Sequence, residues 1–75
     1  MELRTVEQVA PTLGLSKRAV HELTRTGRIP HRVLPHTRRC LFETAWLQAW
    51  ADGAELERID LEGNGRIVRP KGAGS

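Results

Sequence analysis

Apolar residues recur at helical spacing near the start of the chain. Val6, Val9, Ala10 and Leu13 fall on one side, the pattern of an amphipathic helix. Thr5 and Gln8 stand three apart, the spacing of a capping box in which each side chain satisfies the other's backbone donor. A first helix is therefore expected from Thr5 to Gly14. Pro11 lies inside it, where proline removes the bond to the Glu7 carbonyl and adds a clash of roughly 3 kcal/mol. The helix should be kinked or tightened there. Gly14 can take a positive φ, and Leu15 is placed to plug the corner before the next helix.

The second periodic stretch is Ser16 to Pro30, SKRAVHELTRTGRIP. Ser16 is a good N-cap, because its hydroxyl can accept from an unpaired N–H of the first turn. Gly27 suits a left-handed helix end, and Pro30 prevents the pattern from resuming. Val20 and Leu23, with Ala19 beside them, form the inward side. Lys17, Arg18, His21 and Arg25 point outward, with Glu22 the single acid among them. A helix, a tight turn and a second, basic helix make the outline of a helix-turn-helix, in which the second helix enters the major groove. A merely solvated basic face is the alternative.

Beyond Gly27 the pattern shortens. His31–Leu34 and Arg39–Phe42 suit strands around the turn residues Pro35-His36-Thr37-Arg38. This predicts a two-stranded hairpin with Arg38 and Arg39 near its tip and Arg32 on its first strand. Such a hairpin must lean on the helices to persist, and its arginines could reach phosphates or a minor groove. A charged turn that only keeps an edge soluble is the competing reading.

A third helix is expected from Thr44 to Asp52, stopped by Gly53. Leu47 and Trp50 should face inward, Trp50 burying on the order of 200 Å² as the largest core contribution. Trp46 falls at the helix edge, as core or as an anchor for a protein partner. Ala54 to Glu62 reads as a further amphipathic turn or two with Leu56, Ile59 and Leu61 as its apolar side. Gly63-Asn64-Gly65 then breaks the chain, and residues 66–75 read as a mobile basic tail. The expected organisation is a DNA-binding unit over residues 1–62 and a flexible tail over 63–75.

Composition narrows the choice. Seventy-five residues make one domain near the low end of what folds unaided. A hydrophobic content of 39% with three large aromatics, Phe42, Trp46 and Trp50, implies a small core without a deep catalytic pocket. The single Cys40 excludes an internal disulfide and suits a reducing cytoplasm. No apolar run approaches a membrane span or signal sequence, so a soluble cytoplasmic protein is expected. Charge is segregated: residues 1–42 hold eight Lys/Arg against three acids, and residues 43–62 hold one base against six acids. Arg66, Arg69 and Lys71 restore positive charge at the end. A basic front suits a polyanion; segregation by chance in a short chain is the alternative.

The run TVEQVAPTLGLSKRAVHELTRTGRIP, a basic hairpin and FETAWLQAW together resemble the excisionase-type, MerR-like winged helix-turn-helix domains encoded by phages and integrative elements. The resemblance covers about residues 5–50 and rests on Thr5, Val9, Ala10, Leu13, Gly14, Ser16, Val20, Gly27, Ile29, Pro30, Phe42, Leu47 and Trp50. Pro11, Pro35-His36-Thr37 and Trp46 depart from the family pattern. The implied fold is mainly α (α+β): a small winged helix-turn-helix of three or four helices plus a two-stranded wing.

The implied function is that of a recombination directionality factor without chemistry of its own. It would bind attachment-site repeats as several cooperating copies, bend the DNA and steer a tyrosine or serine integrase towards excision. Bending a site of ~20–30 bp costs on the order of 1–6 kcal/mol, so help from other copies or from integrase is expected. Ser16, Lys17, Arg18, His21 and Arg25 would contact DNA from the recognition helix, and Arg32, Arg38 and Arg39 from the wing. Trp46, Arg66, Arg69 and Lys71 are the candidate partner contacts. A small transcriptional regulator would use the same helix and wing, and a protein-interaction module without DNA binding is the alternative from another class.

An enzyme is not expected: no paired carboxylates, glycine-rich phosphate loop or nucleophile–base set is present. His31, His36 and Cys40 are the one cluster to check for metal, but three candidate ligands on one hairpin fall short of the four a structural zinc takes. Neither metal nor cofactor is expected.

Overall fold

In a computed structural model, which describes residues 2–72, the chain runs β1 (Leu3–Arg4), α1 (Val6–Leu13), α2 (Lys17–Arg25), β2 (His31–Val33), β3 (Cys40–Glu43), α3 (Thr44–Ala51), β4 (Leu56–Asp60), a 3₁₀ turn (Glu62–Asn64) and β5 (Arg66–Pro70). Helix α1 starts at the predicted cap, where the Thr5 N–H donates to Gln8 Oε1 at 2.9 Å. It passes through the exposed Pro11 and closes with a tightened turn. Gly14, at φ 70°, donates to the Pro11 carbonyl at 3.1 Å, and Leu15 donates to Ala10 at 3.0 Å. Leu15 is exposed rather than plugging the corner.

Helix α2 is capped as its sequence requires. Ser16 Oγ accepts from the Ala19 N–H at 3.1 Å, and Gly27 takes φ 70° after the last turn. Val20 and Ile29 are fully buried. They join Val6, Val9, Ala10 and Phe42 in one cluster, with Leu13, Leu23, Leu47 and Trp50 packed against it. Complete burial of a side chain such as Phe42 contributes about 1.5–3 kcal/mol.

The hairpin β2–β3 forms, with Arg32 opposite Leu41 and Val33 opposite Cys40. It is the middle of a larger structure, a five-stranded sheet in the order β1-β3-β2-β5-β4 whose pairs are all antiparallel. Alternation along the strands puts His31, Val33, Cys40, Phe42, Arg66 and Val68 on one face, the face that meets the α1–α2 cluster through Phe42. Arg32, Leu41, Glu43 and Ile67 lie on the other.

Three expectations are corrected here. Ala54–Glu62 is not helical: Leu56–Asp60 is an edge strand, with Ile59 opposite Ile67. The expected tail is, over Arg66–Pro70, a strand inserted between β2 and β4; residues 73–75 of that tail lie outside the described residues. The architecture among the described residues is thus three helices and five strands rather than helices with a two-stranded wing. Finally, Trp50 is only half-buried rather than the largest core contribution, whereas Trp46 is buried, in line with the core reading of that residue. Helix α3 faces two surfaces at once. Leu47 and Trp50 meet the core cluster, while the Trp46 ring lies under the Arg32 guanidinium, 4.9 Å from its centroid.

Candidate nucleic-acid interface

Burial on one side of α2 dictates what its other side presents. Val20 and Thr24 are buried, and Thr24 Oγ1 turns back to donate to the His21 carbonyl at 2.7 Å. Lys17, Arg18, His21 and Arg25 are all exposed. Arg25 is paired with Glu22 one turn earlier, an exposed pair that holds the Glu22 carboxyl below its ordinary range. Ser16 has its oxygen in the cap and its hydroxyl proton free to donate.

The wing tip is shaped by Leu34 to Arg39. Thr37 Oγ1 donates to the Leu34 carbonyl at 2.9 Å and accepts from the Arg39 N–H at 3.4 Å. His36 occupies φ 62°, and its N–H donates to the Gly63 carbonyl at 2.8 Å. Arg38 and Arg39 are exposed. An open cleft of about 800 Å³ separates this tip from the helices. Its lining includes His21 and Thr24 from α2, Thr37, Arg38 and Arg39 from the wing tip, and Gly63, Asn64 and Arg66 from the β4–β5 connection and β5.

Pairing of the cations separates front from back. Among the described residues, Arg4 pairs with Glu2, Arg25 with Glu22, Arg32 with Glu43, Arg58 with Asp60, Arg69 with Glu57 and Lys71 with Glu55. Arg66 donates to His31 and to the Thr24 carbonyl. The cations left without an ion pair or a side-chain hydrogen bond are Lys17, Arg18, Arg28, Arg38 and Arg39. All lie on α2, just after it, or on the wing. In the back half Arg58, Arg69 and Lys71 are paired with acids and Arg66 is hydrogen-bonded, whereas the front half keeps five unpaired cations. Glu7 is the one acid lining the cleft. Its own backbone N–H and the Thr5 hydroxyl, with Lys17 and His21 nearby, keep its carboxyl below the ordinary value.

Five of the sequence candidates are engaged within the fold, and of these only Arg66 lines the cleft. Arg32 is half-buried on the far face of the sheet, between Glu43 at 3.5 Å and the Trp46 ring. Trp46 is covered, Arg66 and Arg69 are engaged within the sheet, and Lys71 pairs with Glu55 on the edge. The structure does not gather the proposed partner contacts into one exposed patch. It adds Arg28 and Asn64, both exposed. Their signals were present: an arginine directly after a helix-closing glycine, and an asparagine between two glycines.

His31 and Cys40, weighed earlier as metal ligands, are held by the fold. His31 is fully buried, with Nδ1 2.7 Å from the Ile29 carbonyl, and burial pushes the Cys40 thiol up to about 11. Among the described residues no group of three or more His, Cys, Asp and Glu is arranged to hold a metal ion, and no helix is long and apolar enough to cross a membrane.

A helix-turn-helix domain model matches residues 5–55, from the cap of α1 to the residue before β4. No curated protein and no solved structure matches the chain. The matched family is a DNA-binding one that includes excisionase-like proteins. The residues it covers are those that build α1, α2, the wing and α3, and the chain belongs to the helix-turn-helix domain family.

Proposed function

We propose that the chain binds double-stranded DNA sequence-specifically, with α2 in the major groove and the β2–β3 tip on the adjacent backbone or minor groove. One observation carries this reading: the unpaired cations Lys17, Arg18, Arg28, Arg38 and Arg39 are confined to α2, its exit and the wing, while the remaining bases are engaged. Phosphate neutralisation by such groups supplies affinity, and side chains that reach base edges supply selectivity. Ser16, Lys17, Arg18, His21 and Arg25 serve the helix contact, and Arg38 and Arg39 the wing contact. Arg32 supports the wing from behind, through Trp46 and Glu43.

Arg18→Ala or His21→Ala should relax sequence preference. Arg38→Ala should weaken binding evenly across sequences and reduce the salt slope by about one. Variants that bind as the wild type does would remove the site assignment.

Within this class the reading is an excisionase, a recombination directionality factor of a phage or integrative element, acting in the bacterial cytoplasm. Copies bound to neighbouring attachment-site repeats would bend the DNA and favour excision by a tyrosine or serine integrase. Support comes from the family match, which includes excisionase-like proteins. Recombination of paired attachment sites by the element's integrase, with and without this protein, tests it. Stimulated excision is expected. Repression of the element's promoter without any effect on recombination would favour a transcriptional regulator instead.

A further inference from the structure

Resting on the DNA-binding role above, we propose that the Glu62–Asn64 turn is a second DNA-contacting loop beside the wing. Asn64 would contact the phosphodiester backbone of the strand lying between α2 and the wing tip. The β4–β5 connection lies outside the residues that match the helix-turn-helix domain model, so no family role covers it.

The two turns are locked together. The His36 N–H donates to the Gly63 carbonyl at 2.8 Å, and the His36 ring lies where a side chain on Gly63 would stand, 2.6 Å from an added Cβ. A Cβ on Gly65 would meet the Pro35 nitrogen at 2.9 Å and the Val33 carbonyl oxygen at 3.0 Å. Glycine at both positions lets the second turn close down on the base of the wing. Gly63 and Asn64 both take left-handed backbone conformations, at φ 68° and 63°, so the chain reverses within a tight loop and leaves Asn64 exposed. The Asn64 amide makes no hydrogen bond within the described residues, and its donors and acceptor are free for a ligand.

Position decides which ligand. Asn64 lines the same cleft as His21, Arg38 and Arg39, and Glu7 is the one acid there. A duplex whose major groove receives α2 must pass one sugar–phosphate strand between that helix and whatever reaches the next groove. An open cleft of about 800 Å³ has room for such a strand. Asparagine amides commonly donate to phosphate oxygens, which fix register without reading sequence. The second turn thus broadens the wing from one turn to two, and the added group is neutral.

Two variants at Asn64 keep the fold. Asn64→Gly retains the left-handed backbone without the amide, and Asn64→Asp retains the shape while placing a carboxylate against the phosphate. Ala45→Asp, exposed on α3 and away from the cleft, makes the same change in net charge. Binding of a fluorescent mixed-sequence duplex at low salt is measured for each, with Arg38→Ala beside them and circular dichroism to confirm folding. Asn64→Asp should lose on the order of tenfold in affinity and Asn64→Gly several-fold, with Ala45→Asp within about twofold of wild type. If Arg38→Ala weakens binding but Asn64→Asp matches Ala45→Asp, the second turn is not a contact and the DNA-binding role survives. If wild type binds no duplex, that role fails and the second contact fails with it.

Discussion

Arg66 Nε donates to His31 Nε2 across 2.9 Å, joining the last strand to the first strand of the wing hairpin. An arginine can only donate, so His31 must accept at Nε2 and carry its proton on Nδ1, which then donates to the Ile29 carbonyl at 2.7 Å. Arg66 Nη2 also reaches the Thr24 carbonyl at 3.4 Å. One guanidinium thereby ties β5 to β2 and to the C-terminal end of α2. The orientation of α2 relative to the β2–β3 hairpin depends on a neutral histidine with no exposed surface.

That arrangement makes stability fall with acid. Burial lowers the His31 pKa below its ordinary 6.5, and the nearby Arg66 and Arg58 push the same way; Asp60, opposite Arg66 across the β4–β5 ladder, is the acid on that face. The unfolded chain therefore binds a proton more readily than the folded one. Its contribution to stability is complete above pH 6.5 and is lost as pH falls from there through the lower folded-state value. The urea midpoint should drop between about pH 7.5 and 5.5, and His31→Gln should flatten that drop. A midpoint indifferent to pH in this window would contradict the network. The exposed carboxylates with lowered pKa values, Glu2, Glu7 and Glu22, titrate below 4.5 and act in a separate range.

The two tryptophans should differ. Trp46→Ala removes a buried ring and the surface on which Arg32 rests. Its cost should be about 3–5 kcal/mol, because Arg32 already has a buried Nε without a hydrogen-bond partner and loses its aromatic cover. Trp50→Ala, at a half-buried position, should cost less. Chemical denaturation of the two variants decides, and a larger loss from Trp50→Ala would contradict the placement of α3.

Removing residues 66–75 should abolish the cooperative fold. Those residues include the strand between β2 and β4 and the Arg66 link to α2. Near-ultraviolet circular dichroism or a thermal melt reads the outcome. A truncated chain that melts like the full one would make the segment a dispensable tail after all.

What was legible in the sequence was local. Thr5, Gly14, Ser16 and Gly27 act through bonds a few residues away, so α1 and α2 could be bounded from composition and order alone, and the outward set on α2 followed from Val20. The second half depends on partners far away along the chain. Leu56 and Ile59, three apart, read as a helix face, but they point to opposite faces of an edge strand, each partly covered. Arg66 and Arg69 read as tail charges because their partners, His31 and Glu57, are brought to them only by the folded sheet. Arg32 looked like a wing cation for the same reason: nothing near it in sequence reveals Trp46 beneath it. On the site itself, the exposed positions on α2 and at the wing tip could be anticipated. The clamp of Gly63 on His36 could not, since it needs two turns placed side by side.

The most direct measurement compares two charge removals of equal size. One variant carries Arg18→Ala, Arg38→Ala and Arg39→Ala, and the other carries Arg58→Ala, Arg69→Ala and Lys71→Ala. Each is titrated against a fluorescent duplex across a range of salt concentrations. Removal of the unpaired front cations should cost at least ~100-fold in affinity at low salt and lower the salt slope by about two to three, whereas removal of the paired back cations should leave both near wild type. Equal losses from the two variants, or a greater loss from the second, would contradict the assignment of the front face as the surface that meets DNA.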